Sequence, residues 1–234
     1  MSWFSPLLDL VRAPPEETRN NPEDEMPYTY PSNNPDDYVF FWKITETHGW
    51  ASQWYNSPFR AQVDIRIEPS SRSSHTKPIH IQSSGEHLFP TAEHWMMACK
   101  ALLFDDQAIF TQIVSTTGTS PDTMKTIKSL GRKVSNFNEE LWVAARYQIV
   151  VEGNLGKFQE NKELREKLLA TEERWIVEAS PMDRIWGVGF GEKRALSVKK
   201  SWGLNLLGRA LMDVRRKLKE EEPDVQGENR RDQF

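Results

Sequence analysis

Phe89-Pro-Thr-Ala-Glu-His-Trp-Met-Met-Ala-Cys-Lys-Ala-Leu-Leu-Phe104 is the stretch around which the rest of the chain is read. Pro90 imposes an extended approach, Thr91 is a good N-cap, and neither Gly nor Pro interrupts the residues up to Phe104, so the spacing predicts a helix starting here. Trp95, Ala98 and Leu102, with Met96, Cys99 and Leu103, supply a broad apolar face. Glu93, Met97, Lys100 and Phe104 form a second stripe at i, i+4, i+7 and i+11. Glu93 falls in the first turn, among apolar neighbours and against backbone N–H groups with no partner inside the helix. On spacing alone, a carboxylate at that place does no more than favour the helix dipole. Any further role rests on the segments that accompany it.

Composition narrows the field. A chain of 234 residues suits one domain with tails and is long enough to bury a sizeable core. A net charge of −4 argues against binding nucleic acid through bulk positive charge. Cys99 is the single cysteine, so no internal disulfide forms, which fits a reducing compartment; its place on the apolar face marks it as a small core residue. No apolar run approaches the ~20 residues of a bilayer span. The N-terminal MSWFSPLLDLVRAPP has no basic n-region and no cleavage site, so it does not read as a secretory signal. The expectation is an intracellular protein, cytoplasmic or nuclear, with no membrane association and no obligate protein partner.

Working outward, residues 1–37 hold seven of the fourteen prolines and many acids, and read as a disordered leader in which Ser2 to Arg12 is a weak amphipathic turn. Tyr38 to Ile44 is a β-branched and aromatic strand run, followed by an aromatic loop from His48 to Phe59. Val63–Ile67 and Ile79–Ile81 alternate with period two and predict a hairpin with a long polar connection into the central helix. Helical periods follow at 105–114, 122–130, 139–151 (capped by Asn138) and 161–171, with a turn expected at Gly153–Gly156. Trp175 to Ala179 is short and β-prone. Ser180 to Gly191 is too glycine-rich for an element interior, and Asn205 is placed to cap a last helix from Leu206 to Lys219. The fold class read from this order is mainly α (α+β): one helical domain over residues 38–218 with a small antiparallel β-sheet, and a polar tail at 219–234.

Three sets of residues carry chemistry. Eight of the nine tryptophans lie inside the domain, and Trp50, Trp54, Trp142, Trp186 and Trp202 sit beside Gly, Ser or Asn. Core packing accounts for any one of them; as a set they also suit a concave site that stacks a planar base, at ~1–3 kcal/mol per ring. Asp183-Arg-Ile-Trp-Gly-Val-Gly-Phe-Gly191 offers a turn whose backbone N–H groups can approach phosphate, yet its glycines fit neither a Walker loop nor a dinucleotide fingerprint, and spacing does not separate a capping Asp183 from an active one. Lys100, Arg132, Arg146, Lys157 and Arg194 recur near these segments. Each alone reads as a surface charge, and together they suit a phosphate or diphosphate. The five histidines lack metal-ligand spacing, and no nucleophile elbow or Cys/His pair is present, so neither a metal nor a cofactor is expected.

The ordered string of short motifs resembles the NADAR, or YbiA-like, N-glycosidase family. The residues that carry the resemblance are Ser52-Gln-Trp54 with Ser57-Pro-Phe59, Phe89 to Met96 with Lys100-Ala101 and Phe104, Gly131-Arg132 with Val134, Trp142 with Arg146, and Lys157-Phe158 with Asn161. Leu168-Leu169, Val177-Glu-Ala-Ser-Pro181, Asp183, Trp186-Gly187 and Gly189 continue it, and Gly203-Leu-Asn205, Leu207-Gly208 and Leu211-Met212 with Arg215 close it. The match runs from about Tyr38 to Leu218. Departures are Met97 and Cys99, where many members carry glutamines, and Gln53-Trp54 in place of a commoner Asn-Phe. They bear on substrate identity more than on chemistry.

The resemblance implies a YbiA-like fold and hydrolysis of an N-glycosidic bond, either in a phosphoribosylamino-pyrimidine intermediate of riboflavin synthesis or in an ADP-ribosylated base, guanine in particular. The partner implied is a nucleotide-like small molecule or an ADP-ribosylated nucleic-acid base. By the same resemblance Glu93, Asp183 and Trp142 are the catalytic residues. Ser52, Trp54, Lys100, Arg146, Lys157, Trp186, Gly187, Gly189 and Asn205 are the expected substrate-binding set. A non-catalytic module that binds ADP-ribose or another nucleotide is the alternative from a different class. Breaking a C1′–N bond suits paired carboxylates, one meeting the positive charge that develops on ribose and one neutralising the leaving nitrogen.

Overall fold

The central helix forms where its sequence predicts. In the structure, a computed structural model that describes residue 30, residues 32–69 and residues 75–221, α1 spans Ala92–Leu103 and Thr91 caps it by accepting from the His94 N–H. The following helices start on side-chain caps as well: Asp106 for α2 (Gln107–Val114), Ser120 for α3 (Pro121–Arg132) and Asn138 for α4 (Glu139–Glu160). The chain continues through α5 (Lys162–Leu169), a short helix α6 (Glu192–Ala195) and a terminal helix α7 (Leu206–Glu220). α1 lies at the centre, packed on α2, α3 and α4, and α7 closes the far side of α4. No helix among the described residues is long and apolar enough to cross a membrane.

The strands make two separate pairs. β2 (Phe59–Ile67) and β3 (Ile79–Phe89) form the expected antiparallel hairpin, longer than its alternating core because Phe59 and Phe89 also pair and both rings pack on Trp95, at 5.9 and 5.0 Å between centroids. The second pair was not legible: β1 (Tyr38–Phe41) lies parallel to β4 (Trp175–Glu178), with Phe41 opposite Glu178. Both strands are largely buried, which suits parallel pairing.

Two further expectations are corrected. Gly153 and Gly156 do not turn the chain; they lie inside α4, which runs on to Glu160. A Cβ on Gly153 would stand 2.2 Å from the Trp95 ring and one on Gly156 2.9 Å from Phe59, so both glycines are there for close packing. The ordered fold also begins before Tyr38. The Tyr30 ring packs edge-on against Trp202 (4.8 Å) and Trp175 (5.2 Å), while Lys199 Nζ donates to the Ser32 carbonyl at 2.7 Å. The expected turn at Ser2–Arg12, the rest of the leader up to residue 29 and the tail from residue 222 lie outside the described residues.

Candidate active site

Glu93 is drawn into the interior by the same contacts that start α1. Thr91 Oγ1 and His94 Nδ1 are 2.9 Å apart, and the Glu93 N–H donates to the Gln53 carbonyl at 3.1 Å, fastening the aromatic loop onto the first turn. Burial holds His94 neutral, with a pKa lowered to about 4. That fastening brings the Trp54 side chain to hydrogen-bond the Glu93 carboxylate. Glu93 is 5% exposed, and burial raises its pKa above the usual carboxylate range; Lys128 opposes the shift, Asp183 adds to it, and the Trp54 hydrogen bond and Arg132 oppose it again. One carboxyl thus reports four neighbours drawn from three other segments.

A second carboxyl faces it from the end of β4. Burial pushes Glu178 up to about 8, and the charges of Asp183 and then Glu93 add to the shift, against Lys128. Asp183 follows in the next turn, where its Oδ1 accepts from the Ile185 and Trp186 N–H groups at 2.8 Å each. Gly187 allows this turn to lie against the strand, since a Cβ there would stand 2.7 Å from the Glu178 carbonyl and 3.1 Å from that of Asp183. Glu93, Glu178 and Asp183 therefore feel one another's charge. No group of three or more His, Cys, Asp or Glu among the described residues is placed to hold a metal ion.

Cations and rings extend the site along α1. Lys100 stands two turns below Glu93, about 10 Å along the axis. Its Nζ lies 4.4 Å from the Phe137 ring and 5.3 Å from the Trp142 ring. Burial lowers its pKa, Glu139 opposes that, and Arg132 adds to it. Lys128 and Arg132, one turn apart on α3, are exposed cations whose fields reach the carboxyl group of Glu93. α3 comes this close because residue 131 is Gly, where a Cβ would overlap the Met97 sulfur at 1.9 Å. The result is a candidate site with carboxyl groups at one end and Lys100 over the Phe137 and Trp142 rings at the other.

Of the expected set, Glu93 is reached by the Trp54 side chain and the charge of Asp183, Lys100 lies over the Trp142 ring two turns along α1, and the Trp186 N–H donates to Asp183. The others serve the scaffold. Lys157 was expected to hold phosphate, but it is fully buried and its Nζ donates to the carbonyls of Trp50 (2.7 Å) and Ser52 (3.0 Å), with burial lowering its pKa to about 7. Ser52 thereby helps to hold the loop, its Oγ accepting from the Trp54 N–H at 3.3 Å. Asn205 adopts a left-handed conformation (φ 51°) and its side chain caps no helix; it accepts from the Glu178 N–H at 3.0 Å and donates to the Ile176 carbonyl at 3.0 Å. The turn expected to cradle phosphate is stitched down instead: the Val188 N–H donates to the Glu178 carbonyl at 2.9 Å, and Gly189 (φ 78°) lies against Arg184. Arg146 is buried one turn beyond Trp142 on α4. Trp50 packs edge-on against Phe158 at 6.0 Å, and Trp202 belongs to the cluster around Tyr30.

Sequence reasoning missed two members, Glu178 and Lys128. Glu178 had one available signal: it is the sole charged residue in the β-prone run Trp175–Ala179. Lys128 had its spacing, four residues before Arg132 on a helix whose other face is apolar.

A family model described as NADAR domain matches residues 40–219. An N-glycosidase of Acanthamoeba polyphaga mimivirus is 43% identical over 129 residues, 54% of this chain and 73% of that protein. An N-glycosidase of Nostoc punctiforme is 33% identical over 141 residues, 60% of this chain and 80% of that protein. The solution NMR structure of the Escherichia coli protein YbiA shares the fold, with a TM-score of 0.54 at 22% identity over 81% of this chain and 91% of that one.

Proposed function

This chain belongs to the NADAR family and is a hydrolase of N-glycosyl bonds, and we propose that the bond it cleaves joins C1′ of a phosphorylated or ADP-linked ribose to the nitrogen of a planar base. The observation that supports this most is the electrostatic coupling of the buried Glu93 to Glu178 and Asp183, on the helix that also carries Lys100 over the Phe137 and Trp142 rings. As the C1′–N bond lengthens, positive charge grows on the sugar, and a carboxylate held out of water stabilises that charge far better than one in solvent. Glu93 supplies the charge and orients the attacking water, and Asp183, anchored by two backbone N–H groups, works beside it. Trp54 and Trp142 contact the base, and Lys100, Lys128 and Arg132 meet phosphate oxygens. Lys100 on α1, with Lys128 and Arg132 on α3, suits one phosphate or a diphosphate.

The test is mass spectrometry of products from the full chain, offered ADP-ribosylated guanine in a DNA oligonucleotide and, separately, a phosphoribosylamino-pyrimidine. Release of ADP-ribose from the first, or of ribose 5-phosphate from the second, identifies the substrate, with Glu93→Gln slowing turnover by roughly 100-fold or more. If neither is cut while calorimetry still detects ADP-ribose, the protein is a binding module and this reading is wrong. Near wild-type turnover by Glu93→Gln would remove Glu93 from its role.

A further inference from the structure

We infer that Glu178, and not Asp183, is the group that delivers the proton to the leaving nitrogen. The inference deepens the glycosidase reading and rests on it. Its starting point is the placement of the three carboxyl groups. Asp183 is half-buried, and one of its oxygens is already engaged by the Ile185 and Trp186 N–H groups. Glu178 is half-buried as well, and differs in its hydrogen bonding. Its Oε2 is sealed from solvent and has no hydrogen-bond partner in the protein, so nothing on the protein compensates a negative charge there.

Its backbone is fixed on both sides. Asn205 accepts from its N–H, and its carbonyl receives the Val188 N–H, so the side chain leaves a rigid strand end. The groups that act on it are Asp183 from the following turn, Glu93 from α1 and Lys128 from α3; the first two favour its protonated form and Lys128 opposes them. Burial acts in the same direction, and with a pKa of about 8 the carboxyl carries its proton at neutral pH.

The step balances. The C1′–N bond breaks with its electron pair going to nitrogen, and the Glu178 proton moves to that nitrogen. Water adds to C1′ and gives up a proton to the Glu93 carboxylate. Transfer of that proton from Glu93 to Glu178 restores the starting state, so the net reaction is addition of one water across the C1′–N bond. Two carboxyls in unlike environments doing unlike work is the general pattern for such sites.

The discriminating experiment varies the leaving group. Glu178→Gln keeps the shape and an N–H donor and loses the transferable proton. On the N-glycoside it should lower kcat by roughly 100- to 10,000-fold. On a 4-nitrophenyl riboside 5-phosphate, whose leaving group departs as a stabilised anion, it should slow cleavage by less than about 10-fold, because no proton is needed. The wild-type rate should fall above about pH 8, and that limb should vanish in the variant. Equal slowing on both substrates, or the leaving-group-selective pattern in Asp183→Asn in place of Glu178→Gln, overturns the assignment.

A second measurement is independent of turnover. Infrared titration of the full chain should show a protonated-carboxyl band at neutral pH, part of which disappears in Glu178→Gln and none in Asp183→Asn. If the band does not change in Glu178→Gln, the inference is wrong. If the wild type cuts neither N-glycoside, the glycosidase reading fails by itself, while the infrared result still decides whether Glu178 holds the proton.

Discussion

The two ends of the aromatic loop between residues 49 and 55 treat buried charge in opposite ways. At one end Lys157 is wholly inside the protein, yet two carbonyls meet its amine. At the other end Trp54 reaches a set of carboxyls that are only partly met: Glu93 has one indole donor and a distant pair of cations, and Glu178 has an oxygen with no partner at all. Both arrangements cost desolvation. The second leaves a carboxyl oxygen with no partner at all, and unspent capacity of that kind inside a fold is what a substrate can use.

The contrast breaks first, and most widely, on pH. Glu178 has its pKa raised from 4.5 to about 8, so between those values the unfolded chain has released a proton that the folded one keeps. Its contribution to stability is therefore complete below about pH 4.5, lost as pH rises to 8, and constant beyond. Glu178→Gln should be more stable than wild type by on the order of 4 kcal/mol at pH 8.5 and no different at pH 4, as read by urea denaturation. Lys157 has the opposite slope. Its pKa is lowered from 10.5 to about 7, so the unfolded chain binds the extra proton, and stability rises as pH goes from 7 towards 10.5. Lys157→Met should abolish that rise and, by orphaning two buried carbonyls, lose about 2 kcal/mol at pH 9 with kcat/KM little changed. A large fall in kcat/KM with stability intact would reverse the contrast and return Lys157 to the site.

Smaller effects sharpen the same division. Trp54→Phe keeps the ring and removes the donor to Glu93, so kcat/KM should fall by roughly 10-fold, the worth of about one hydrogen bond to a charged group. Lys128→Met should raise KM by only ~2- to 5-fold, since an exposed cation is screened by solvent. An unchanged KM would take Lys128 out of phosphate binding.

How much of this could be read beforehand follows from the range of each interaction. Thr91, Asn138 and the period of α1 act within a turn or two, so the starts of α1 and α4 and the place of Glu93 in the first turn were legible. Phe41 and Glu178 pair across most of the chain, and four-residue strands carry too little pattern to announce a partner, so the parallel β1–β4 pair was not. Gly153 and Gly156 were misread because sequence shows the missing side chain and not the Trp95 and Phe59 rings that need the space. Lys157 and Asn205 stood beside the right motifs, but whether a polar side chain faces the site or the backbone behind it is settled only by tertiary packing. Glu178 was passed over for the same reason, with the opposite outcome.

Cys99 gives the molecule a use of its own. It is the one thiol in the chain, has no exposed surface, and sits on the helix that carries Glu93, its pKa pushed well above the ordinary thiol range by burial. A thiol reagent therefore reaches it only when α1 separates from the core. Each molecule then carries a single silent clock: at high reagent concentration the labelling rate is the opening rate of the central helix, and at low concentration it reports the free energy of that opening. Ligands that fill the site should slow the clock in proportion to their binding to the closed form, which turns an ordinary alkylation time course into a substrate screen.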